Sequence, residues 1–135
     1  MTAAPPLALS IGDPAGVGPE LAAAAWSARD AKELPPFFAV GNVRVFEEAA
    51  RVRGVAVPVA AIDSPEQALD VFGRALPVLE TGEAHYTPGA PSRQGAELAL
   101  AALTEATRLV LAGQARALVT GPIAKSLLAE VGFTQ

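Results

Sequence analysis

The chain has 135 residues, ten of them Lys or Arg and 14 Asp or Glu, which gives a formal net charge of −4. It has no cysteine, which excludes disulfides, thiolate zinc sites and cysteine nucleophiles, and its one histidine, His85, excludes a histidine-rich metal site built from this chain alone. The hydrophobic fraction of 51% predicts a buried globular core rather than disorder.

The composition also argues against two classes of binding partner, nucleic acids and membranes. Basic residues are scattered, which argues against nucleic-acid binding, and no apolar run reaches the ~20 residues of a membrane span. The N-terminus has no basic region of the kind that opens a signal peptide. We therefore expect no nucleic-acid partner, no membrane partner and a cytoplasmic location.

The first predicted elements are a buried strand over residues 7–11, a glycine-rich loop, and an alanine-rich helix over 19–29. Pro19 and Glu20 suit the start of that helix, and Trp26 fits its packing face. A strand over 37–40, a turn at Gly41 and Asn42, a helix over 43–53 ending at Gly54, and a strand over 55–60 follow.

Residues 61–91 are rich in Pro and Gly, and only 76–80 is predicted to form a strand there. Ser92 is predicted to cap a long helix over 93–112, which ends at Gly113. Its predicted buried stripe is Ala99, Leu103, Ala106 and Val110. A strand over 117–120 and a short helix over 123–130 complete the chain. This alternation predicts an α/β fold with a mostly parallel sheet, flanking helices and no internal domain boundary over 1–135.

The loop between the first strand and helix carries Gly12, Asp13, Gly16 and Gly18. Glycines let backbone approach a ligand closely, and a helix start offers free N–H groups to an anion. The spacing matches neither the dinucleotide fingerprint nor a P-loop. A tight turn that merely requires glycine explains the loop equally well, and Asp13 could serve as a ligand contact, an Asx turn or a helix cap.

A second strand–loop–helix junction is Thr120-Gly121-Pro122-Ile123-Ala124-Lys125. Ligands of open α/β sheets gather beyond the carboxyl ends of the strands, so the two loops would be neighbours if their strands are close. Lys125 is a candidate to reach a phosphate, a carboxylate or a developing alkoxide, against the alternative of a solvated surface lysine. His85 is interpreted as a surface or loop-packing residue.

Together, the two motifs resemble one family. Residues 11–20 (IGDPAGVGPE) resemble the N-terminal signature of the 4-hydroxythreonine-4-phosphate dehydrogenases of pyridoxine biosynthesis, and residues 117–125 (ALVTGPIAK) resemble its second signature. Residues 92–95 (SRQG) and the helix after them match the layout between those signatures. The resemblance covers essentially the whole chain.

The resemblance implies part of a two-lobe fold like that of isocitrate and isopropylmalate dehydrogenases, with a cleft between lobes and a homodimeric enzyme. The implied reaction is NAD-dependent oxidation, with decarboxylation, of a phosphorylated hydroxy-amino acid, aided by a divalent metal ion. Candidate catalytic residues are Lys125 and Asp13. Candidate cofactor contacts are Gly12, Asp13, Gly16 and Gly18, and candidate substrate contacts are Thr120, Gly121 and Lys125.

Two departures from the family pattern limit what this chain can do alone. Ala124 stands where the family often has a polar residue, and the Gly-His-Thr-Glu motif and metal-binding histidines of the family are not in these 135 residues. We therefore expect an N-terminal segment of a longer dehydrogenase, inactive alone, with its metal ligands elsewhere. The alternatives are a paralogous dehydrogenase of another phosphorylated hydroxy acid, a small α/β anion-binding module, and a non-catalytic interaction domain.

Overall fold

The computed structural model describes residues 4–120, which form a parallel five-stranded sheet in the order β3-β4-β2-β1-β5. The strands are β1 (Leu7–Ser10), β2 (Phe37–Gly41), β3 (Val59–Ile62), β4 (Leu76–Glu80) and β5 (Leu118–Thr120). The helices are α1 (Gly18–Ser27), α2 (Val43–Arg53), α3 (Ala68–Val71), which follows a 3-10 turn at Pro65–Gln67, and α4 (Arg93–Leu111). None of these helices is long and apolar enough to cross a membrane.

The sheet is covered by helices on both faces, since right-handed crossovers place α1 and α2 on one side and α4 on the other. Helices α1 and α2 pack against each other, and α4 packs on β1, β2 and β5. The central strand β2 is buried throughout. Phe38 of β2, Phe46 of α2 and Leu109 of α4 are among the largest fully buried side chains. The predicted α/β fold with a parallel sheet is therefore confirmed.

Local sequence signals set the helix ends. The Asn42 side chain accepts a hydrogen bond from the Arg44 amide at 3.0 Å and so caps α2. Gly54 then ends α2 in the left-handed conformation, with φ +79°. Ser92 Oγ accepts from the Gly95 amide at 3.0 Å, which confirms the predicted cap of α4.

The structure corrects several predicted boundaries. Strand β3 lies at Val59–Ile62 rather than 55–60, because the left-handed turn at Gly54 is followed by an extended connection before pairing with β4 begins. The segment 61–91 also contains a 3-10 turn and a short helix, starting at Pro65, that the sequence analysis does not predict. The predicted short helix over 123–130 lies outside the described residues.

The predicted stripe of α4 is also partly wrong. Ala99 and Ala106 are buried, but Leu103 and Val110 are only half-buried. The buried face is Gly95, Ala96, Leu98, Ala99, Ala102, Ala106 and Leu109. Five of these seven residues are Gly or Ala, whose small size lets the helix lie close to the sheet.

Candidate functional site at the carboxyl edge of the sheet

The carboxyl ends of the parallel strands bring the two sequence motifs together. Strand β1 pairs directly with β5, with Ser10 in register with Thr120. The sequence predicts that the two loops are neighbours if their strands are close, and the pairing of β1 with β5 meets that condition. Thr120 ends β5 beside the start of the glycine-rich loop, whereas Gly121 and Lys125 lie outside the described residues.

The glycine-rich loop, residues 12–17, owes its shape to one glycine and one aspartate. Gly12 has φ +72°, a left-handed conformation that favours glycine. Asp13 Oδ1 accepts from the Ala15 amide at 2.8 Å, and the Asp13 carbonyl accepts from the Gly16 amide at 2.9 Å. Asp13 thus forms the Asx turn that was one of its alternatives. Helix α1 begins immediately afterwards at Gly18, and no side chain caps it.

The second carboxylate oxygen of Asp13, Oδ2, accepts no hydrogen bond from the residues that the structure describes. Asp13 is 4% exposed, and its Oδ2 is buried without a hydrogen-bond partner among residues 4–120. Two other buried side-chain oxygens share this condition, Ser10 Oγ and Thr81 Oγ1. Ser10 ends β1 and Thr81 follows β4, so all three lie at the carboxyl edge. Unpaired buried polar atoms are costly, and their concentration here favours a ligand-binding edge.

A groove of about 240 Å³ runs between α1 and β5 at this edge. Its lining is mainly apolar and includes Leu21, Phe46 and Val119, and the hydroxyl residues Ser10 and Thr120 also line it. Leu21 and Val119 are each more than half exposed. The groove therefore combines an apolar wall with two hydroxyl-bearing residues at the carboxyl ends of adjacent strands.

Two further segments hold the glycine-rich loop from outside. The Thr87 amide donates to the Pro14 carbonyl at 3.3 Å, and the Gly89 amide donates to the Ala15 carbonyl at 2.9 Å. The first turn of α4 packs on Pro14 so closely that a Cβ added at Gly95 would lie 3.3 Å from Pro14 Cδ. Sequence reasoning missed the contact of residues 86–90, because nothing local marks a loop that meets a distant loop.

Tyr86, in the segment that contacts the glycine-rich loop, has a perturbed hydroxyl pKa. Burial raises the pKa of the Tyr86 hydroxyl above its ordinary value, and the negative charge of Glu20 and a hydrogen bond to that side chain raise it further. Glu20 is in the first turn of α1. This contact therefore connects the loop containing Tyr86 to the helix that follows the glycine-rich loop.

A polar cleft of about 370 Å³ lies farther along the edge, lined among others by Asn42, Glu80, Glu83 and His85. His85 is 62% exposed, and its Nδ1 lies 3.8 Å from Glu48 Oε1. This agrees with the interpretation of His85 as a surface residue. Within residues 4–120, no three His, Cys, Asp or Glu side chains are grouped so that they could hold a metal ion.

A protein-family model and several curated proteins match the sequence of this chain. Residues 33–135 match the family described as "Pyridoxal phosphate biosynthetic protein PdxA". A "4-hydroxythreonine-4-phosphate dehydrogenase" of Erythrobacter litoralis is 49% identical over 129 residues, which is 96% of this chain and 38% of the relative. A protein of the same name from Zymomonas mobilis is 47% identical over 131 residues, covering 96% and 37% of the two chains.

Solved structures agree on the fold. Those of a 4-hydroxythreonine-4-phosphate dehydrogenase from Burkholderia phymatum and of one from Klebsiella pneumoniae superpose with TM-scores of 0.81 and 0.80, at 20% and 23% identity. Each superposition covers 97% of this chain, and 40% and 41% of the respective structure. The predicted isocitrate/isopropylmalate dehydrogenase-like fold is thereby confirmed for the part that this chain covers. The chain belongs to the PdxA family of pyridoxal phosphate biosynthetic proteins.

Proposed function

We propose that this chain is the N-terminal segment of a dehydrogenase that oxidises 4-hydroxythreonine 4-phosphate with NAD and decarboxylation, in pyridoxal phosphate biosynthesis. The relatives carry that name, and the chain spans 38% of the length of the Erythrobacter protein. The activity therefore belongs to a longer polypeptide, and we expect these 135 residues to be inactive alone. The observation that carries the proposal is the meeting of the glycine-rich loop and Thr120 at paired strands.

In this proposal the glycine-rich loop forms one wall of the cofactor and substrate cleft. Gly12, Gly16 and Gly18 leave backbone accessible to a ligand, and Asp13 Oδ2 is a buried acceptor without a donor in the described chain. Such an acceptor fits a ligand rich in hydroxyl groups, as a ribose is. NAD, when bound, supplies the hydride acceptor for alcohol oxidation. Asp13 holds a ligand hydroxyl and fixes its orientation.

The substrate contacts proposed from the sequence are Thr120, Gly121 and Lys125. Thr120 lines the groove beside Ser10, at the ends of adjacent strands. Lys125 would act electrostatically on a phosphate or a developing alkoxide. Because these 135 residues contain one histidine and lack the metal-binding histidines that the resemblance implies, we place the ligands of the divalent ion elsewhere in the enzyme and derive no step through it. We further propose that the whole enzyme is a cytoplasmic homodimer.

A paralogous dehydrogenase of another phosphorylated hydroxy acid is the second candidate. The structure of a "Terephthalate 1,2-cis-dihydrodioldehydrogenase" from Burkholderia xenovorans superposes with a TM-score of 0.73 at 24% identity. This likeness shows the fold alone, and it indicates that one fold serves dehydrogenases named for different substrates. A small anion-binding module is disfavoured, because the relatives that match nearly all of this chain are far longer than it.

A chimera tests the proposal, with residues 1–135 replacing the matching segment of the Erythrobacter litoralis relative. We expect NADH formation from 4-hydroxythreonine 4-phosphate by the chimera and none by this chain alone. A folded chimera that turns over only another phosphorylated hydroxy acid would favour the paralogue. A folded chimera without any dehydrogenase activity, or NAD-dependent turnover by the isolated chain, would contradict the proposal.

Asp13→Asn in that chimera tests the role of the carboxylate. The amide oxygen keeps the Asx turn to Ala15, while the charged acceptor is lost. A hydrogen bond to a charged group is worth roughly 1.5–3 kcal/mol, so we expect kcat/KM to fall about 10-fold to 100-fold. Asp70→Ala, at an exposed position of α3, is the control. Equal kcat/KM for Asp13→Asn and the unmodified chimera would exclude Asp13 from ligand contact without affecting the proposed reaction.

A further inference from the structure

Residues 86–90, here called the strap, lie across the glycine-rich loop. Their backbone donates to the carbonyls of the two residues that follow Asp13, from Thr87 to Pro14 and from Gly89 to Ala15. The strap also closes its own turn, with the Ala90 amide donating to the Thr87 carbonyl at 2.9 Å. Both long-range bonds reach main-chain atoms of the loop, so the strap holds the loop's backbone itself.

The strap is anchored at its first residue. Tyr86 is 7% exposed and packs in the hydrophobic core, and its hydroxyl interacts electrostatically with Glu20 in the first turn of α1. At the other end, Gly89 has φ +74°, and no atom outside its immediate neighbours lies within 4 Å of the place where a Cβ would be. Tyr86 thus belongs to the hydrophobic core, whereas residues 88–90 of the strap are exposed and only two backbone hydrogen bonds hold the strap to the loop.

Asp13 directly precedes the two residues whose carbonyls the strap holds, and one of its carboxylate oxygens has no hydrogen-bond donor among residues 4–120. The carboxylate is 4% exposed, and its Oδ2 has no donor in the described chain. As far as the described residues go, a buried acceptor of this kind opposes the closed arrangement of the loop, because in an open arrangement the same oxygen would bond to water or to a ligand. The hydrogen bonds of the strap act against that opening.

We propose that the strap is a gate: closed, it holds the glycine-rich loop with Asp13 buried, and released, it exposes the Asp13 carboxylate to a ligand that brings hydroxyl or ammonium donors. The ligand part of this inference rests on the proposed role of Asp13. The opening of the strap is a property of this chain and is measurable without any ligand. The gate can therefore be refuted while the proposed ligand contact of Asp13 stands, and the reverse is also possible.

Amide hydrogen exchange of the 135-residue chain, followed by NMR, tests the gate. Three amides report on it: Gly89, which bonds across to Ala15, and Ala15 and Gly16, which bond within the loop. Gly89→Ala forces a side chain into a left-handed conformation, which we expect to speed exchange at all three amides about fivefold. Gly113→Ala is the matched control, since Gly113 has φ +78° and equally open surroundings at the far end of α4.

Tyr86→Phe is the second variant, which keeps the buried ring and removes the hydroxyl that meets Glu20. We expect the same three amides to exchange about fivefold to tenfold faster, with the amides of β2 unchanged. The gate is refuted if Gly89 exchanges faster while Ala15 and Gly16 do not, since the strap would then open without the loop. It is equally refuted if Gly113→Ala speeds the three amides as much as Gly89→Ala.

Discussion

Gly41, the last residue of β2, is a position where one methyl group should destabilise the fold. A Cβ added there would lie 2.9 Å from Ile11 Cβ and 3.0 Å from Ile11 Cδ1. The first of these contacts cannot be relieved by a rotamer change, because both Cβ atoms are fixed to the backbone, one at the end of β2 and the other at the residue that follows β1. We therefore expect β1 and β2 to separate locally in Gly41→Ala, next to the residue that leads into the glycine-rich loop.

The expected cost follows from overpacking of a filled core, which is typically about 1–3 kcal/mol. We take about 2 kcal/mol, because one distance is below the closest approach of real Cβ atoms and another is at that limit. For a chain of this length each kcal/mol shifts Tm by roughly 4 °C, so Gly41→Ala should melt about 8 °C lower.

Urea unfolding followed by the fluorescence of Trp26 is the assay, since Trp26 is the single tryptophan and is 5% exposed. Gly73→Ala is the matched control, because nothing lies within 4 Å of its Cβ position and its φ is ordinary. We expect that control to be neutral or slightly stabilising. An unchanged midpoint for Gly41→Ala, or an equal loss in Gly73→Ala, would refute the reasoning.

Two further predictions concern Asn42 and Tyr86. Asn42→Ala removes the cap of α2 and the Nδ2 donor to the Gly82 carbonyl at 2.8 Å, so we expect a loss of about 2–3 kcal/mol in urea unfolding, and a loss below about 0.5 kcal/mol would contradict it. The raised pKa of Tyr86 means that the neutral phenol stabilises the fold below about pH 10, and this contribution is lost as pH rises through the higher folded-state pKa. The stability advantage of the wild type over Tyr86→Phe should therefore shrink at alkaline pH, and an advantage that stays constant would contradict the assignment.

Local chemistry made much of the fold predictable. The strand at 76–80 and the helix at 43–53 occupy the predicted residues, because Asn42, Gly54 and the apolar runs act over a few residues. Errors arose where no local signal operates. The sequence predicts the edge strand β3 too early, because several consecutive apolar residues precede it and only pairing with β4 selects which of them join the sheet.

The candidate site was also only partly predictable from local sequence. Sequence alone identified the glycine-rich loop and Thr120, since strand–glycine–helix junctions mark the carboxyl ends of strands. It also predicted correctly that the two would be neighbours if their strands were close in the sheet. It also indicated the family, because residues 11–20 and residues 117–125 together match the two signatures of that family.

Only the tertiary structure decided that β1 pairs with β5, that Ser10 and Thr81 join Asp13 as buried oxygens without partners in the described chain, and that residues 86–90 bond to the loop after Asp13. These contacts join segments far apart in the chain. Their free energy depends on how the whole sheet closes rather than on any short stretch of residues, and no local pattern encodes it.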